Sequence, residues 1–289
     1  MNRGIRLMGH RWSRLLVFLL AAVILSAAGI GQVKEAGRFG RLQEDTVKTG
    51  AFRRQTLDDG MQDMIRDMED PGELLGIYWL ETGFGEQPFS GNCTEQAFES
   101  MGRSWKRRPY WNVYAEACRA IWDDLVYFPI PVSKDGEAEE ISFVDSWMYE
   151  RNYGGTRGHE GTDIMAGENV RGYYPVVSMT DGYVTHKGWL EQGGYRLGIT
   201  APGGAYFYYA HLDSYAEIEE GDPVKAGDLL GFMGDTGYSK KEGTMGMFPV
   251  HLHVGIYLIH DGEEISVNPY QPLKYLENRR IECVYGRKN

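Results

Sequence analysis

The chain has 289 residues, of which 42% are hydrophobic and 13% aromatic, with 38 Gly and 19 Tyr. That length allows one good-sized domain plus an accessory region, or two small domains, and the apolar share supports a proper core. A formal net charge of −11 leaves no cationic excess to neutralise phosphates, which argues against nucleic acid as a partner.

Arg3, Arg6, Arg11 and Arg14 precede an uncharged apolar run from Leu15 to Ile30. Basic residues followed by a hydrophobic segment mark an export signal with the N-terminus held in the cytoplasm. Two outcomes stay open: a single-pass anchor in the cell membrane, or a signal peptide cut near Ser26-Ala27-Ala28 that releases a secreted protein. Either puts the bulk of the chain outside the cytoplasm. The predicted organisation is residues 1–31 as this segment, 32–54 as a polar linker, 55–130 as an α-helical accessory region, and 131–289 as a β-rich domain.

In the helical region, Met61, Met64, Ile65 and Met68 recur at helical spacing before Pro71, and Leu74, Leu75, Tyr78 and Trp79 follow it. Pro71-Gly72 divides the two pieces. The clearest helix is predicted over Tyr110 to Phe128, where Trp111, Tyr114, Cys118, Ile121, Trp122 and Leu125 form one apolar stripe. Such a stripe packs on a neighbour in the same chain or offers a face to a protein partner. The three cysteines, Cys93, Cys118 and Cys283, match no zinc motif; Cys93 and Cys118 either pair in an oxidising compartment or stay free.

After Pro131 short β-like runs alternate with turns. The runs are 176–178, 182–185, 196–200, 206–209 and 250–259, and Asp181-Gly182, Pro202-Gly203-Gly204, Gly221-Asp222-Pro223 and Asp261-Gly262 are turn signals. This predicts a mainly β domain, an antiparallel sheet or barrel.

Histidine placement carries the chemistry. In Val250-His251-Leu252-His253, strand alternation turns both imidazoles to one face and Leu252 to the other. His159-Glu160-Gly161-Thr162-Asp163 reads as a loop entering a strand, able to turn His159 and Asp163 toward one ion. His211 follows an aromatic strand. A catalytic zinc takes three N/O ligands and leaves one position open, and His159, Asp163 and His253 would supply them. His211 and His251 then remain beside the site to orient or deprotonate water and to stabilise an oxyanion. Glu160 lacks the helical context and second histidine of a zincin motif, so it reads as a loop residue rather than a base. His186 and His260 read as exposed strand-end residues.

These motifs coincide with a family pattern. Over residues 141–275 the chain resembles the lysostaphin/LytM-type zinc metallopeptidases. The resemblance lies in Arg157-Gly158-His159-Glu160-Gly161-Thr162-Asp163-Ile164, Asp181-Gly182-Tyr183-Val184, Tyr209-Ala210-His211-Leu212, the run from Gly221 to Gly231, Gly234-Asp235-Thr236-Gly237-Tyr238-Ser239, and Val250-His251-Leu252-His253. It implies zinc held by His159, Asp163 and His253, catalytic roles for His211 and His251, and cleavage of peptidoglycan peptides. A family tyrosine near the oxyanion falls on Tyr153. The stretch from Lys240 to Phe248 is longer than the family pattern and is expected to reshape the groove wall. Family members that lost metal ligands imply the alternative of a membrane-anchored scaffold that binds wall or a partner without turnover. The helical region is also a candidate cover for the groove. Gly221-Asp222-Pro223-Val224-Lys225 also resembles the hairpin of lipoyl and biotinyl carrier domains. Without Met before a turn lysine, it reads as structural.

Overall fold

A computed structural model describes residues 2–91, 93–134 and 140–285, with side chains from Leu15 onward. The side chains of Arg3, Arg6, Arg11 and Arg14 therefore lie outside the described residues. Seven α-helices are α1 (Asn2–Phe39), α2 (Gly50–Arg53), α3 (Asp59–Ile65), α4 (Gly72–Thr82), α5 (Glu95–Trp105), α6 (Trp111–Trp122) and α7 (Tyr270–Leu276). The strands are β1 (Val132–Ser133), β2 (Ile141–Phe143), β3 (Glu150–Arg151), β4 (Arg157–Gly158), β5 (Thr162–Ala166), β6 (Pro175–Val177) and β7 (Gly182–Leu190). They continue as β8 (Gly194–Thr200), β9 (Tyr206–Tyr215), β10 (Pro223–Val224), β11 (Leu229–Met233), β12 (His251–His260), β13 (Glu263–Val267) and β14 (Glu282–Cys283).

Helix α1 carries the apolar run, and Leu15–Phe39 is long and apolar enough to cross a bilayer, with a mean hydropathy of 2.3 and no buried share. Its 25 residues rise about 37 Å, more than the ~30 Å hydrocarbon core. Its end is docked: Arg38 Nε donates to Glu81 of α4 at 2.8 Å, and Arg41 Nη1 donates to the Leu80 carbonyl at 2.8 Å. In the segment expected to be a polar linker, Leu42, Val47 and Phe52 are buried.

Helix α4 is buried almost all round, as a helix packed between others must be. Gly72 and Gly76 make this possible. A Cβ at Gly72 would meet Arg119 Cα at 2.7 Å, and one at Gly76 would meet Cys118 Sγ at 3.1 Å. The apolar stripe of α6 thus packs within the chain, with Trp122 donating to Gln55 at 2.8 Å and Tyr114 to the Gly76 carbonyl at 2.9 Å. Helix α6 ends at Trp122, short of the predicted Phe128. Asp123 and Asp124 are unfavourable at the carbonyl end of a helix, and here they accept from the backbone N–H groups of Gly72 and Gly203 instead. Helix α5 was not anticipated; Phe98, Met101, Gly102 and Trp105 give it an inward face, and Thr94 caps it. The three cysteines are free thiols: Cys118 is buried, Cys93 exposed and Cys283 between.

The β domain is an open antiparallel sheet in the order β10-β7-β8-β9-β12-β5-β2, with β11 joining β6 to β9 and β13 pairing β12. It does not close into a barrel. Strand β12 organises the sheet. Leu252, Val254, Ile256 and Leu258 face the core, while His251, His253, Gly255 and Tyr257 face the opposite side. Each buried aliphatic side chain contributes roughly 1.5–3 kcal/mol, and a one-residue slip would send the histidines into the core. Helical region and sheet share one hydrophobic core, joined where Trp122 meets Tyr275 of α7, ring centroids 5.8 Å apart.

Candidate metal centre

The register of β12 against β5 sets His253 directly opposite Asp163, with Ala210 of β9 opposite on the other side. Side chains paired this way across antiparallel strands start about 5 Å apart, and the small Ala210 leaves the space open. His159 arrives from the turn before β5, its peptide fixed by hydrogen bonds with Tyr149 and Met148. His159 Nε2, Asp163 Oδ1 and His253 Nδ1 form a triangle with every side 3.0 Å. Zinc bonds of about 2.0–2.1 Å put the corners of a tetrahedral site ~3.3 Å apart, so a shift of a few tenths of an ångström admits an ion. Two imidazoles and a carboxylate are a donor set suited to zinc, and these three residues form a group able to hold a metal ion.

The surroundings tune the cluster. His159 is buried, and its Nδ1 sits 3.2 Å from the Ser146 carbonyl and 3.0 Å from the Ser146 hydroxyl. Nδ1 thus lies between an acceptor, that carbonyl, and a donor, Arg151 Nη2 at 3.1 Å, while Nε2 is the ring nitrogen that faces Asp163 and His253. Burial raises the Asp163 carboxyl, but hydrogen bonds with His159 and His253 and the charges of His253 and His251 overcome it and hold the group far below the usual carboxylate range. Arg151, which the sequence reading missed, donates to Asp163 Oδ2 at 2.6 Å. Burial lowers the His253 imidazole, so it is neutral at neutral pH. A Cβ at Gly161 would collide with the His253 ring and the Val254 carbonyl, so only glycine fits there.

His211 and His251 flank the cluster. Strand β9 pairs with β12 up to Ala210 and with β11 from Leu212 onward. His211 stands at the break with φ +62°, which directs its ring out of the ladder. Its Nδ1 donates to the Thr236 carbonyl at 2.7 Å, leaving Nε2 as a lone pair. Burial, then the neighbouring charges of His251 and His253, push its pKa well below that of a free histidine. His251 Nδ1 donates to the Pro249 carbonyl at 2.8 Å, and its Nε2 lies 3.9 Å from Asp163 Oδ1. The two rings are 4.7 Å apart, centre to centre. All five histidine and aspartate positions singled out in the sequence therefore lie in one groove of about 720 Å³.

Other expectations fared unevenly. Tyr153 stacks on Tyr238 at 4.4 Å, and Tyr238 in turn lies 6.0 Å from the His211 ring. The 240–248 stretch does shape the wall, through Phe248, whose ring lies 4.7 Å from His211 and 5.0 Å from His251. Glu160 lines the groove but pairs with Arg53 of α2 at 2.9 Å. His186 is exposed, whereas His260 is mostly covered and sits 3.3 Å from Asp261. Among the described residues no groove-lining side chain precedes Arg151, so the helical region does not cover the site.

Residues 157–269 match the model of peptidase family M23, and residues 37–124 match the LytM N-terminal domain. A crystal structure from Ruminococcus gnavus ATCC 29149, which carries the name glycyl-glycine endopeptidase LytM, is 61% identical with a TM-score of 0.82. The match covers 86% of this chain and 99% of that one. The L-Ala–D-Glu endopeptidase of Bacillus subtilis is 40% identical over 151 residues, 52% of this chain and 43% of that protein. The glycyl-glycine endopeptidase ALE-1 of Staphylococcus capitis is 32% identical over 115 residues, 36% of this chain and 30% of that protein. The chain thus spans less than half the length of the curated relatives it matches. With both of its regions matched, and a relative of 61% identity aligned over nearly its whole length, the chain belongs to peptidase family M23, with a LytM N-terminal domain ahead of the peptidase domain.

Proposed function

We propose that this protein is a zinc-dependent endopeptidase that hydrolyses peptide bonds in peptidoglycan stem or cross-bridge peptides. The observation that carries the reading is the 3.0 Å triangle of His159 Nε2, Asp163 Oδ1 and His253 Nδ1, set in a groove open to a peptide. These three residues would hold the ion. When bound, zinc supplies a Lewis acid that polarises the scissile carbonyl and makes water available as a nucleophile near neutral pH.

The chain's own groups do the rest. His211 is neutral at neutral pH, and its Nδ1 is committed to Thr236, so Nε2 is free to take a proton from attacking water. His251, anchored through Nδ1 to Pro249, brings a second Nε2 to the same side. Whichever imidazole gains the proton becomes a cation 4.7 Å from its neighbour's ring, placed to stabilise the oxyanion and then to protonate the leaving amine. Phe248 and Tyr238 wall the two rings and limit water around them. Relatives named for L-Ala–D-Glu and for glycyl-glycine cleavage support stem and bridge peptides as the substrate class.

Helix α1 supports a membrane-anchored or exported protein with its peptidase domain on the extracytoplasmic side, where such peptides lie. Division into export segment, linker, helical region and peptidase domain is part of the same proposal. A scaffold role without turnover has no observation in its favour, because the donor set is intact. The test is to assay purified protein for bound zinc and to digest walls of differing cross-bridge composition. Zinc together with new peptide ends is the expected result; neither one in any wall would overturn it.

A further inference from the structure

The groove continues past the metal cluster over a floor of tyrosines. Tyr208 lies 5.9 Å from the His253 ring, Tyr257 6.1 Å from Tyr208, Tyr206 6.0 Å from Tyr257, and His186 5.9 Å from Tyr206. Glycines keep this floor low: a Cβ at Gly193, Gly198 or Gly255 would run into Tyr208, Tyr206 or Tyr257. A peptide emerging from the metal site would lie along this surface.

Two arginines line the same groove, Arg157 of β4 and Arg196 of β8. Most other charged side chains along the groove are paired. Arg151 is paired with Asp163 and Glu160 with Arg53, while Glu264 is exposed on β13. Arg157 and Arg196 have no ion-pair partner among the described residues, and Arg157 Nε and Arg196 Nη1 are shielded from solvent without a hydrogen-bond acceptor. A buried guanidinium N–H without an acceptor is costly, and a planar fork of donors suits a carboxylate.

We propose that Arg157 and Arg196 form a carboxylate subsite, so that the preferred substrate is an acidic stem-type peptide rather than a glycine bridge without side-chain carboxylates. This rests on the peptidase reading. Two sources of the carboxylate are separable, an internal glutamate and the peptide's C-terminus. The probes are L-Ala-γ-D-Glu-L-Lys-D-Ala, its form with the internal glutamate carboxylate as carboxamide, its form with an amidated C-terminus, and pentaglycine.

Binding and kcat/KM are measured for each with the zinc-loaded full chain. The acidic peptide is expected to exceed at least one amidated form tenfold or more in both readouts, and which form loses identifies the source. Arg157→Gln and Arg196→Gln should each close most of that gap, and Arg196→Lys, which keeps the charge but not the fork, should close it partly. Thermal melting and zinc content identify a variant that merely misfolds. Equal handling of acid and amide by the wild type, or a preference that survives both Gln variants, overturns the subsite. Cleavage without carboxylate preference leaves the peptidase reading standing and removes the subsite. Arginine-dependent, acid-selective binding without cleavage keeps the subsite and removes the peptidase reading.

Discussion

His211 holds a left-handed backbone at φ +62°, a conformation that costs a non-glycine residue about 1 kcal/mol or more. The break in β9 pairing requires it, and the reward is an imidazole aimed into the groove. His211→Ala is expected to retain zinc and lose turnover by about 10²–10⁴-fold, whereas His253→Ala loses the zinc itself. Metal analysis beside a peptide assay separates the two, and metal loss in both would refute the division of roles. Gly161→Ala should also abolish zinc binding while far-UV circular dichroism stays native, because its Cβ would occupy the place of the His253 ring.

Away from the site, burial raises the Asp123 carboxyl to about 6 against the opposing Gly72 N–H bond. The folded form then keeps a proton that the unfolded chain releases near pH 3.8. Stability from this group is therefore present at low pH and declines as pH rises from about 4 to about 6. Asp123→Asn keeps the acceptor for Gly72 without the charge. Its melting temperature should exceed the wild type's above pH 6 and converge with it near pH 4; parallel curves would contradict this.

At the scale of elements, the convergence of His159, Asp163 and His253 was legible because strand alternation is a strict rule. His251, Leu252 and His253 fixed which side of β12 faces the groove, and the loop-to-strand reading of 159–163 carried Asp163 to the strand paired with it. The orienting groups were not legible. Arg151 reaches the site from β3 of the small β3–β4 hairpin and Ser146 from the segment before it, and no spacing rule connects a serine or arginine to a histidine 8 to 13 residues on. The end of α6 was misjudged because apolar periodicity continues to Phe128 while Asp123 and Asp124 serve neighbouring backbone. The contact between α2 and the ligand loop was equally invisible. Arg53 holds Glu160, between His159 and Asp163, and also donates to Ser266 Oγ at 2.6 Å. Arg53→Ala should weaken zinc binding several-fold with the three proposed ligands intact, because Glu160 loses the partner that holds its loop in place; an unchanged zinc affinity would show the contact to be dispensable.

For the molecule as a whole, the helical region behaves as a foundation rather than a cover. It packs behind the sheet through Trp122 and Tyr275, and Asn268 bonds to the backbone of Arg53 and Arg54. A chain beginning at residue 131 would expose Leu273, Tyr275 and Leu276. It is expected to melt at lower temperature and bind a hydrophobic dye, not to gain activity; a fragment equal in stability and more active would show that the region restrains the enzyme instead.

Zinc held by His159, Asp163 and His253 is proposed to drive peptide hydrolysis in the wall. The most direct test is mass spectrometry of the peptides released from purified peptidoglycan by the native, the chelator-stripped and the zinc-restored protein. New peptide termini are expected with native protein, none after stripping, and recovery with one equivalent of zinc per chain. Release that is indifferent to stripping, or no new termini from zinc-loaded protein, would contradict it.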